Sequence, residues 1–276
     1  MISSLGTTIS PSSYGARMKI SLIISGIPLE LPPIWEVSHE INLIDPGKHI
    51  HYRLLKCQEH FHEELSQKNE GFTTVQWWVP AVAHQAVPML CIIKKKSKLQ
   101  TVFNLWEQND NMVKDVTPFP DQDIICNDMA RATCWSKLNM SEAYEQIHII
   151  LEHVHKTAFT TVLGTFRSQV IQMGDCNTPS TFQWLMTVIF HDWISEFIHV
   201  YLDDIFIFLY SIEEHEVHLG IILQWLWDHH LFLSQSKVDL YLKRLECLSH
   251  IIDHQGIHAE ADKVQHIHEW RCPRIL

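Results

Sequence analysis

Apolar and polar residues alternate along most of this chain with the periods of helices and short strands. Apolar positions that recur every three or four residues predict helices, whereas short apolar runs between turn residues predict strands. The predicted helices are 54–68, 121–131, 141–146, 178–196 and 212–230. The predicted strands are 88–96, 99–103, 133–138, 147–151, 156–162 and 166–172. Regular structure is therefore expected from about residue 50 onward.

The first part of the chain lacks this periodicity. It is rich in Ser, Gly and Pro, and the pairs Pro32-Pro33 and Pro46-Gly47 mark loops. The apolar run at 20–29 is interrupted by polar residues and is too short to span a bilayer. We therefore predict a tail or linker over 1–49 and no membrane partner.

Two helices carry recognisable start signals. Pro179 behind Thr178 suits the first helical position, where its missing N–H costs no hydrogen bond. Ser211 and Glu214 have the spacing of a capping box, in which each side chain bonds a backbone N–H of the first turn. These signals predict helices that begin close to residues 178 and 212.

Two adjacent carboxylates interrupt the most apolar stretch, residues 199–208 (HVYLDDIFIF). An unbroken buried strand could not hold two ionised side chains, because each charge would need a partner. We therefore predict a strand, a turn and a second strand, with Asp203 and Asp204 at the tip. An isolated pair of this kind is most often an ordinary turn. Apolar residues on both sides instead favour a rigid hairpin whose carboxylates suit divalent cations.

The segment Tyr201-Leu202-Asp203-Asp204 resembles the Y-x-D-D box of reverse transcriptases, and its neighbours resemble segments of gypsy-type long-terminal-repeat retrotransposons, particularly fungal ones. The resemblance runs in order from about residue 30 to 274. Its other segments are LPP (31–33), IKKK (93–96), TVFNLWEQN (101–109), VKDVTPFPDQD (113–123), WSKLNMSEAYEQIHI (135–149), KTAFTTVLGTF (156–166), MGDCNTPSTFQ (173–183) and CLSHIIDHQGIHA (247–259).

This resemblance implies an α+β right-hand polymerase core with fingers, palm and a truncated thumb. The implied fingers are 50–113 and 147–177, the implied palm is 114–146 and 178–254, and 255–276 would be a thumb stub. The rest of the thumb, the RNase H and the integrase of such polyproteins would lie outside the chain.

In the family, nucleotide addition uses two magnesium ions held by three aspartates. Asp203 and Asp204 match two of these metal ligands, whereas the third catalytic place is Asn139. An amide keeps the shape of a carboxylate but removes one negative charge. At about 4 Å and an effective dielectric of about 20, one unit charge contributes roughly 4 kcal/mol, or about a thousandfold in rate. We therefore expect magnesium binding to be weakened.

The resemblance also implies substrate-binding residues. Tyr144 would lie beneath the incoming sugar, Lys95 would meet the triphosphate, and Gln100 replaces an arginine that would join it. Gly174 and Gln183 match a loop and a helix start beside the templating base. Without the resemblance, Tyr144 would be interpreted as packing on a strand, and Lys95 as part of a solvated loop.

The expected function is RNA-directed DNA polymerisation on a primed RNA or DNA template with deoxynucleoside triphosphates, weak or absent in this copy. A non-catalytic remnant that still binds nucleic acid is the alternative. The chain is expected inside the cell, in the cytoplasm or nucleus. Seven cysteines without a C-x-x-C pair favour reduced thiols.

The composition fits a degenerate copy. The net charge of −11 excludes a basic coat, so any nucleic-acid contact must be local. The 20 histidines suggest a metal hydrolase, since His215 and His218 lie one turn apart, but no set has the required spacing, and surface histidines are the preferred interpretation. The excess of His and Trp is instead interpreted as lost arginines, at Gln100, Trp106, His148, Trp184 and His268.

Overall fold

The computed structural model describes residues 31–49, 57–93 and 99–270. Within these ranges the α-helices are α1 His62–Thr74, α2 Trp106–Asp110, α3 Gln122–Arg131, α4 Thr178–Ile189, α5 Ile212–Asp228 and α6 Ala261–His268. Short 3-10 helices are Glu59–Phe61, Ala143–Gln146, Leu151–Thr157 and Gln235–Lys237. The strands are β1 Trp78–Pro80, β2 Val87–Ile93, β3 Leu99–Phe103, β4 Cys134–Asn139, β5 Phe159–Thr161, β6 Gly164–Ser168, β7 Ile198–Tyr201, β8 Asp204–Leu209, β9 Asp239–Leu242, β10 Arg244–Cys247, β11 His250–Asp253 and β12 Gly256–Ala259.

One sheet has five strands in the order β1-β6-β5-β2-β3. Strands β2 and β3 form the predicted antiparallel pair, whereas β2 and β5 run parallel. Its core is aromatic: the ring of Phe159 lies 5.0 Å from that of Trp78 and 4.8 Å from that of Phe103. Edge-to-face contacts of this kind contribute about 1 kcal/mol each beyond their buried area.

A second sheet, in the order β7-β8-β4-β9, carries the main core. Strand β8 is buried on both faces, so its residues are continuously apolar after Asp204. Ile205 and Ile207 face α4 and α5, which bury matching apolar stripes against them. Phe206 and Phe208 point the other way, into a separate cluster with α3.

A three-stranded meander, β10-β11-β12, covers the second face of β8 together with α3. Its buried residues Leu245, Cys247 and Ile252 contact the same cluster as Phe206. The predicted boundary between palm and thumb stub, between residues 254 and 255, falls in the turn from β11 to β12. Gly256, directly after it, has a φ of +120°. None of the helices in the described ranges combines the length and apolar composition that a membrane crossing requires.

The structure differs from the predicted elements at several places. The helix predicted over 54–68 becomes an α-helix only at His62, and the helix predicted over 141–146 is the 3-10 helix Ala143–Gln146. The strand predicted over 156–162 is reduced to β5, and the strand predicted over 166–172 is observed as β6 and ends at Ser168. Helix α1 continues through Gly71 to Thr74, because Phe72 in its last turn packs on Trp77. Helix α4 ends at Ile189 rather than 196, and Trp193 packs on α5 from the following turn. Residues 147–151 form isolated bridges rather than a strand, and their partners include the N-terminal segment.

That N-terminal segment, residues 31–49, differs from the predicted tail because it packs on the core. His39 is 1% exposed; its Nδ1 lies 2.9 Å from Oγ1 of Thr181 and its Nε2 lies 3.2 Å from Oδ2 of Asp175. Ile41 is buried beside it. Hydrogen bonding and burial therefore fix a segment that has no secondary-structure period of its own.

Strand β8 contributes side chains to two core clusters, so a change in its buried residues should lower stability more than a change at the surface. Replacing Phe206 by Ala should lower the free energy of unfolding by about 4 kcal/mol, because it opens a cavity between the meander and the sheet. Trp270 is 78% exposed, so Trp270→Ala should change it by less than about 0.5 kcal/mol. Equilibrium urea unfolding of both variants measures the difference, and equal effects would contradict this packing.

Candidate active site

The paired carboxylates lie at the turn of the β7–β8 hairpin, which confirms the predicted strand, turn and strand. Tyr201 pairs with Asp204 at the last register position, so the turn consists of Leu202 and Asp203. Leu202 has a φ of +52°. This left-handed backbone conformation costs about 1 kcal/mol for a residue that has a side chain. This conformation turns the chain within two residues and brings the two carboxylates side by side.

Asn139 lies directly opposite this turn. It ends β4 and pairs in register with Asp204, the first residue of β8. Its Nδ2 donates to Oδ2 of Asp203 at 2.8 Å and to Oδ1 of Asp204 at 2.7 Å. The backbone N–H of Met140 also donates to the carbonyl of Asp203 at 3.0 Å. The fold thus unites the three residues that the resemblance implies as catalytic.

Two lysines complete this cluster, and sequence reasoning missed both. Lys137 Nζ lies 3.0 Å from Oδ2 of Asp204 and 5.3 Å from the ring centre of Phe206. Lys237 Nζ donates to Oδ1 of Asn139 at 3.0 Å. Lys137 lies two residues before Asn139, on the same face of an otherwise apolar strand, and this spacing was an available signal. Lys237 had no comparable local signal.

These contacts define the orientation of the Asn139 amide. Its carbonyl faces the ammonium group of Lys237, and its NH2 faces two carboxylates. The opposite orientation would place donor against donor and acceptor against acceptor. The two negative charges of Asp203 and Asp204 are balanced by the two lysines. The cluster is therefore neutral as it stands.

This arrangement does not fit the pair of magnesium ions that the resemblance implies. Magnesium takes oxygen ligands, yet N–H donors lie between the two carboxylates. Within the described ranges, no three His, Cys, Asp or Glu side chains lie close enough together to hold a metal ion. A cation at this position would have to displace the amide of Asn139.

Gln183 supports the hairpin turn from α4. It is 1% exposed; its Oε1 accepts the N–H of Leu202 at 2.8 Å, and its Nε2 donates to the carbonyl of Val200 at 3.1 Å. The amide thus satisfies backbone groups on both sides of the turn. In this structure it contacts the protein backbone through both polar atoms.

Tyr144 lies near the carboxylates, in the 3-10 helix that follows β4. Its ring packs edge-on against Phe182 of α4, with 5.5 Å between ring centres. Burial raises the pKa of its phenol, and the nearby charges of Asp203 and Glu145 raise it further. The phenol therefore stays protonated and is available as a hydrogen-bond donor beside the hairpin.

Gln100 contacts Met173, the residue before Gly174. Gln100 Nε2 donates to Sδ of Met173 at 3.4 Å. Gly174 has a φ of +120°, and a Cβ there would come within 2.9 Å of the carbonyl oxygen of Phe103. Among the described residues, no hydrogen bond or ion pair joins Gln100 or Gly174 to the carboxylates. Lys95 lies outside the described residues.

One histidine of the rejected hydrolase motif lies beneath β4. His215 is fully buried, so the expected surface position is wrong for it, because α5 turns this residue toward the sheet. Ser136 Oγ accepts the N–H of Tyr241 at 3.1 Å and lies at hydrogen-bond distance, 2.7 Å, from Nε2 of His215. Burial, with a contribution from His218, lowers the pKa of His215 to about 4.

Solved structures with a similar fold are polymerases. A foamy viral protease-reverse transcriptase in complex with double-stranded DNA superposes with a TM-score of 0.77 at 15% identity, covering 96% of this chain and 57% of that one. The same kind of protein in complex with an RNA/DNA hybrid gives a TM-score of 0.74 at 16% identity, covering 97% and 39%. These similarities confirm the predicted α+β polymerase core.

Sequence comparison identifies the family within this class of fold. The family described as reverse transcriptase (RNA-dependent DNA polymerase) matches residues 50–265, and the chain belongs to that family. The Pol polyprotein of the Drosophila melanogaster transposon 297 is 29% identical over 76% of this chain and 19% of its own length. The Tf2-3 polyprotein of Schizosaccharomyces pombe is 24% identical over 70% and 14%. The chain thus spans a fifth or less of these relatives.

The turn support by Gln183 predicts a loss of stability. Gln183→Ala leaves the N–H of Leu202 and the carbonyl of Val200 without their side-chain partners, so the free energy of unfolding should fall by about 2 kcal/mol. The exposed Gln265→Ala on α6 is the matched control and should change it by less than about 0.5 kcal/mol. Urea titration distinguishes them, and an unchanged Gln183→Ala would exclude this role.

The buried His215 predicts a pH dependence of stability. Its folded pKa of about 4 lies below its ordinary value of 6.5, so the unfolded chain takes up a proton first as the pH falls. Between about pH 7.5 and about pH 5 this group alone should lower the free energy of unfolding by roughly 2 kcal/mol. His215→Gln should flatten that part of the urea-unfolding profile. An identical pH profile in the variant would contradict the assignment.

Proposed function

We propose that this chain is the reverse transcriptase domain of a gypsy-type retrotransposon polyprotein and a degenerate copy whose polymerase activity is weak or absent. The observation that carries this proposal is the double hydrogen bond from Asn139 to Asp203 and Asp204. The polymerase scaffold supports the ancestral reaction, and the amide at the centre of the carboxylate cluster supports its impairment.

The ancestral reaction transfers a nucleotide to the 3′-hydroxyl of a primer. Catalysis of such transfers depends on positive charge beside the reacting phosphate, which lowers the energy of its transition state. In this chain Lys137 and Lys237 already neutralise the cluster, and Asn139 adds no negative charge that would recruit a cation. We therefore propose that magnesium binding is weakened relative to a site with three aspartates.

The proposed substrates are a primed RNA or DNA template and deoxynucleoside triphosphates. Similar solved proteins are in complex with double-stranded DNA or with an RNA/DNA hybrid, which supports a nucleic-acid partner. Tyr144 is proposed to lie beneath the incoming sugar, Lys95 and Gln100 near the triphosphate, and Gly174 near the templating base. Gln183 would act there as a positioning residue, through its bonds to the hairpin turn.

The proposed division of the chain keeps the fingers at 50–113 and 147–177 and the palm at 114–146 and 178–254. The two sheets support it, since the five-stranded sheet uses strands from the first pair of ranges and the four-stranded sheet uses strands from the second. The segment 255–276 remains the proposed thumb stub.

Primer extension on an RNA template tests the proposed activity. Asn139→Asp combined with Gln100→Arg should increase extension by up to about a thousandfold over the unaltered chain. The first change restores a negative charge to the carboxylate cluster, and the second restores a positive charge where the triphosphate is proposed to bind. Asp203→Asn in that double variant is the control and should abolish the gain. Equal extension by the unaltered chain and the double variant would contradict the proposed impairment.

Filter binding of the same primer–template distinguishes the alternative, a remnant that binds without extending. The already neutral carboxylate cluster favours this alternative, because such a chain keeps its scaffold without a bound cation. Tight binding together with no extension in any variant would support it. Failure of both binding and extension would reject both functions.

A further inference from the structure

One cavity of the structure is lined by basic residues and shares no lining residue with the carboxylate cluster. A cavity of about 290 Å³ opens between the N-terminal segment, the loop before β2 and the 3-10 helix before β5. Of the described residues that line it, five are basic or potentially basic: Lys48, His84, His155, Lys156 and Arg167. None of the described lining residues is Asp or Glu. In a chain with a net charge of −11, this is an unusual concentration of one sign.

The cations of this cavity have unused donors. Lys156 Nζ donates to the carbonyl of Ile41 at 2.6 Å, which leaves two of its three N–H groups. Arg167 Nη2 donates to the carbonyl of Val82 at 3.0 Å, whereas its Nε is buried without a hydrogen-bond partner among the described residues. Burial lowers the pKa of Lys156, and the charge of Glu40 opposes that effect.

In the part of the chain that the structure describes, these cations form no close ion pair, although the charge of Glu40 acts on Lys156. Over the described ranges, no carboxylate lies within 4.0 Å of the charged groups of Lys48, Lys156 or Arg167. Positive charges that line one cavity repel one another and favour an anion between them. Three permanent charges and the planar guanidinium fork suit a phosphate, whose oxygens accept several N–H bonds at once.

The walls of the cavity are held in place by contacts of their own. Asn111 is buried; its Oδ1 accepts the N–H of Asp45 at 3.0 Å and its Nδ2 donates to the carbonyl of the same residue at 2.8 Å. These two bonds fix the segment that carries Lys48. The bond from Lys156 to Ile41 fixes the same segment from the other side. The backbone that carries Lys48 and the ammonium group of Lys156 are therefore held in place by the protein itself.

We propose that this cavity binds a phosphate group. The phosphate belongs either to the backbone of a polynucleotide or to a free nucleotide. Both present negatively charged non-bridging oxygens that accept hydrogen bonds. The site uses none of the residues of the carboxylate cluster, so it would remain even if the polymerase activity were entirely lost.

Calorimetric titration of the full chain with inorganic pyrophosphate in EDTA tests the proposal, because no divalent cation then assists binding at the carboxylates. Lys48→Glu should weaken binding about tenfold or more, since it reverses one of the three charges. Lys48 is exposed, so folding should be retained. Lys263→Glu on α6 is the matched control and should leave the affinity unchanged.

Arg167→Gln is a second variant, with Arg131→Gln as its control, because Arg131 is an exposed arginine outside the cavity. Circular dichroism confirms the folding of each variant. Absence of pyrophosphate binding by the unaltered chain would overturn the proposal. Equal affinity of the unaltered chain, Lys48→Glu and Arg167→Gln would overturn it as well.

A short oligothymidylate distinguishes the two sources of phosphate. If the ligand is a polynucleotide, Lys48→Glu should reduce the slope of log affinity against log salt by about one, because one phosphate contact is lost. An unchanged slope together with weakened pyrophosphate binding would assign the site to a free phosphate ligand. Either result supports the phosphate site.

Discussion

Two adjacent carboxylates at the tip of one hairpin must be neutralised, and the structure around them depends on the donors and cations that neutralise them. Asp203 and Asp204 cannot both remain ionised in a partly buried hairpin unless donors or cations lie beside them. The chain supplies both, through the amide of Asn139 and the ammonium groups of Lys137 and Lys237. The turn also needs Gln183, which satisfies its backbone from the opposite side. The site is thus a closed network of donors and acceptors.

This network changes what the polymerase scaffold can do. A site with three carboxylates would repel itself and attract divalent cations, whereas this cluster has no net charge. Its components come from β4, the hairpin, α4 and the segment before β9, so the packing of the whole four-stranded sheet holds it. The same scaffold can therefore be stable while its reaction is impaired in the way we propose. The separate basic cavity shows that the acidic chain still concentrates positive charge locally.

Much of the fold was accessible from local patterns. The hairpin around Asp203 and Asp204, the β2–β3 pair and the start of α5 at Ser211 each depend on neighbouring residues, and each is observed. The ends of helices were less accessible, because they depend on aromatic contacts outside the helix: Phe72 of α1 packs on Trp77, and Trp193 after α4 packs on the distant Trp225. The N-terminal segment was missed for the same reason, since His39 is fixed by Thr181 and Asp175 far along the chain.

The sequence by itself determined the family, the carboxylate hairpin and the presence of an amide at Asn139, because motifs and their order are local properties of the chain. Only the tertiary structure decided which groups that amide contacts. The amide faces both carboxylates because Lys237, 98 residues away along the chain, faces its carbonyl, and Lys137 reaches Asp204 across paired strands. A sequence pattern records periods and turns, but the balance of charge at a site depends on which distant groups the fold brings into contact.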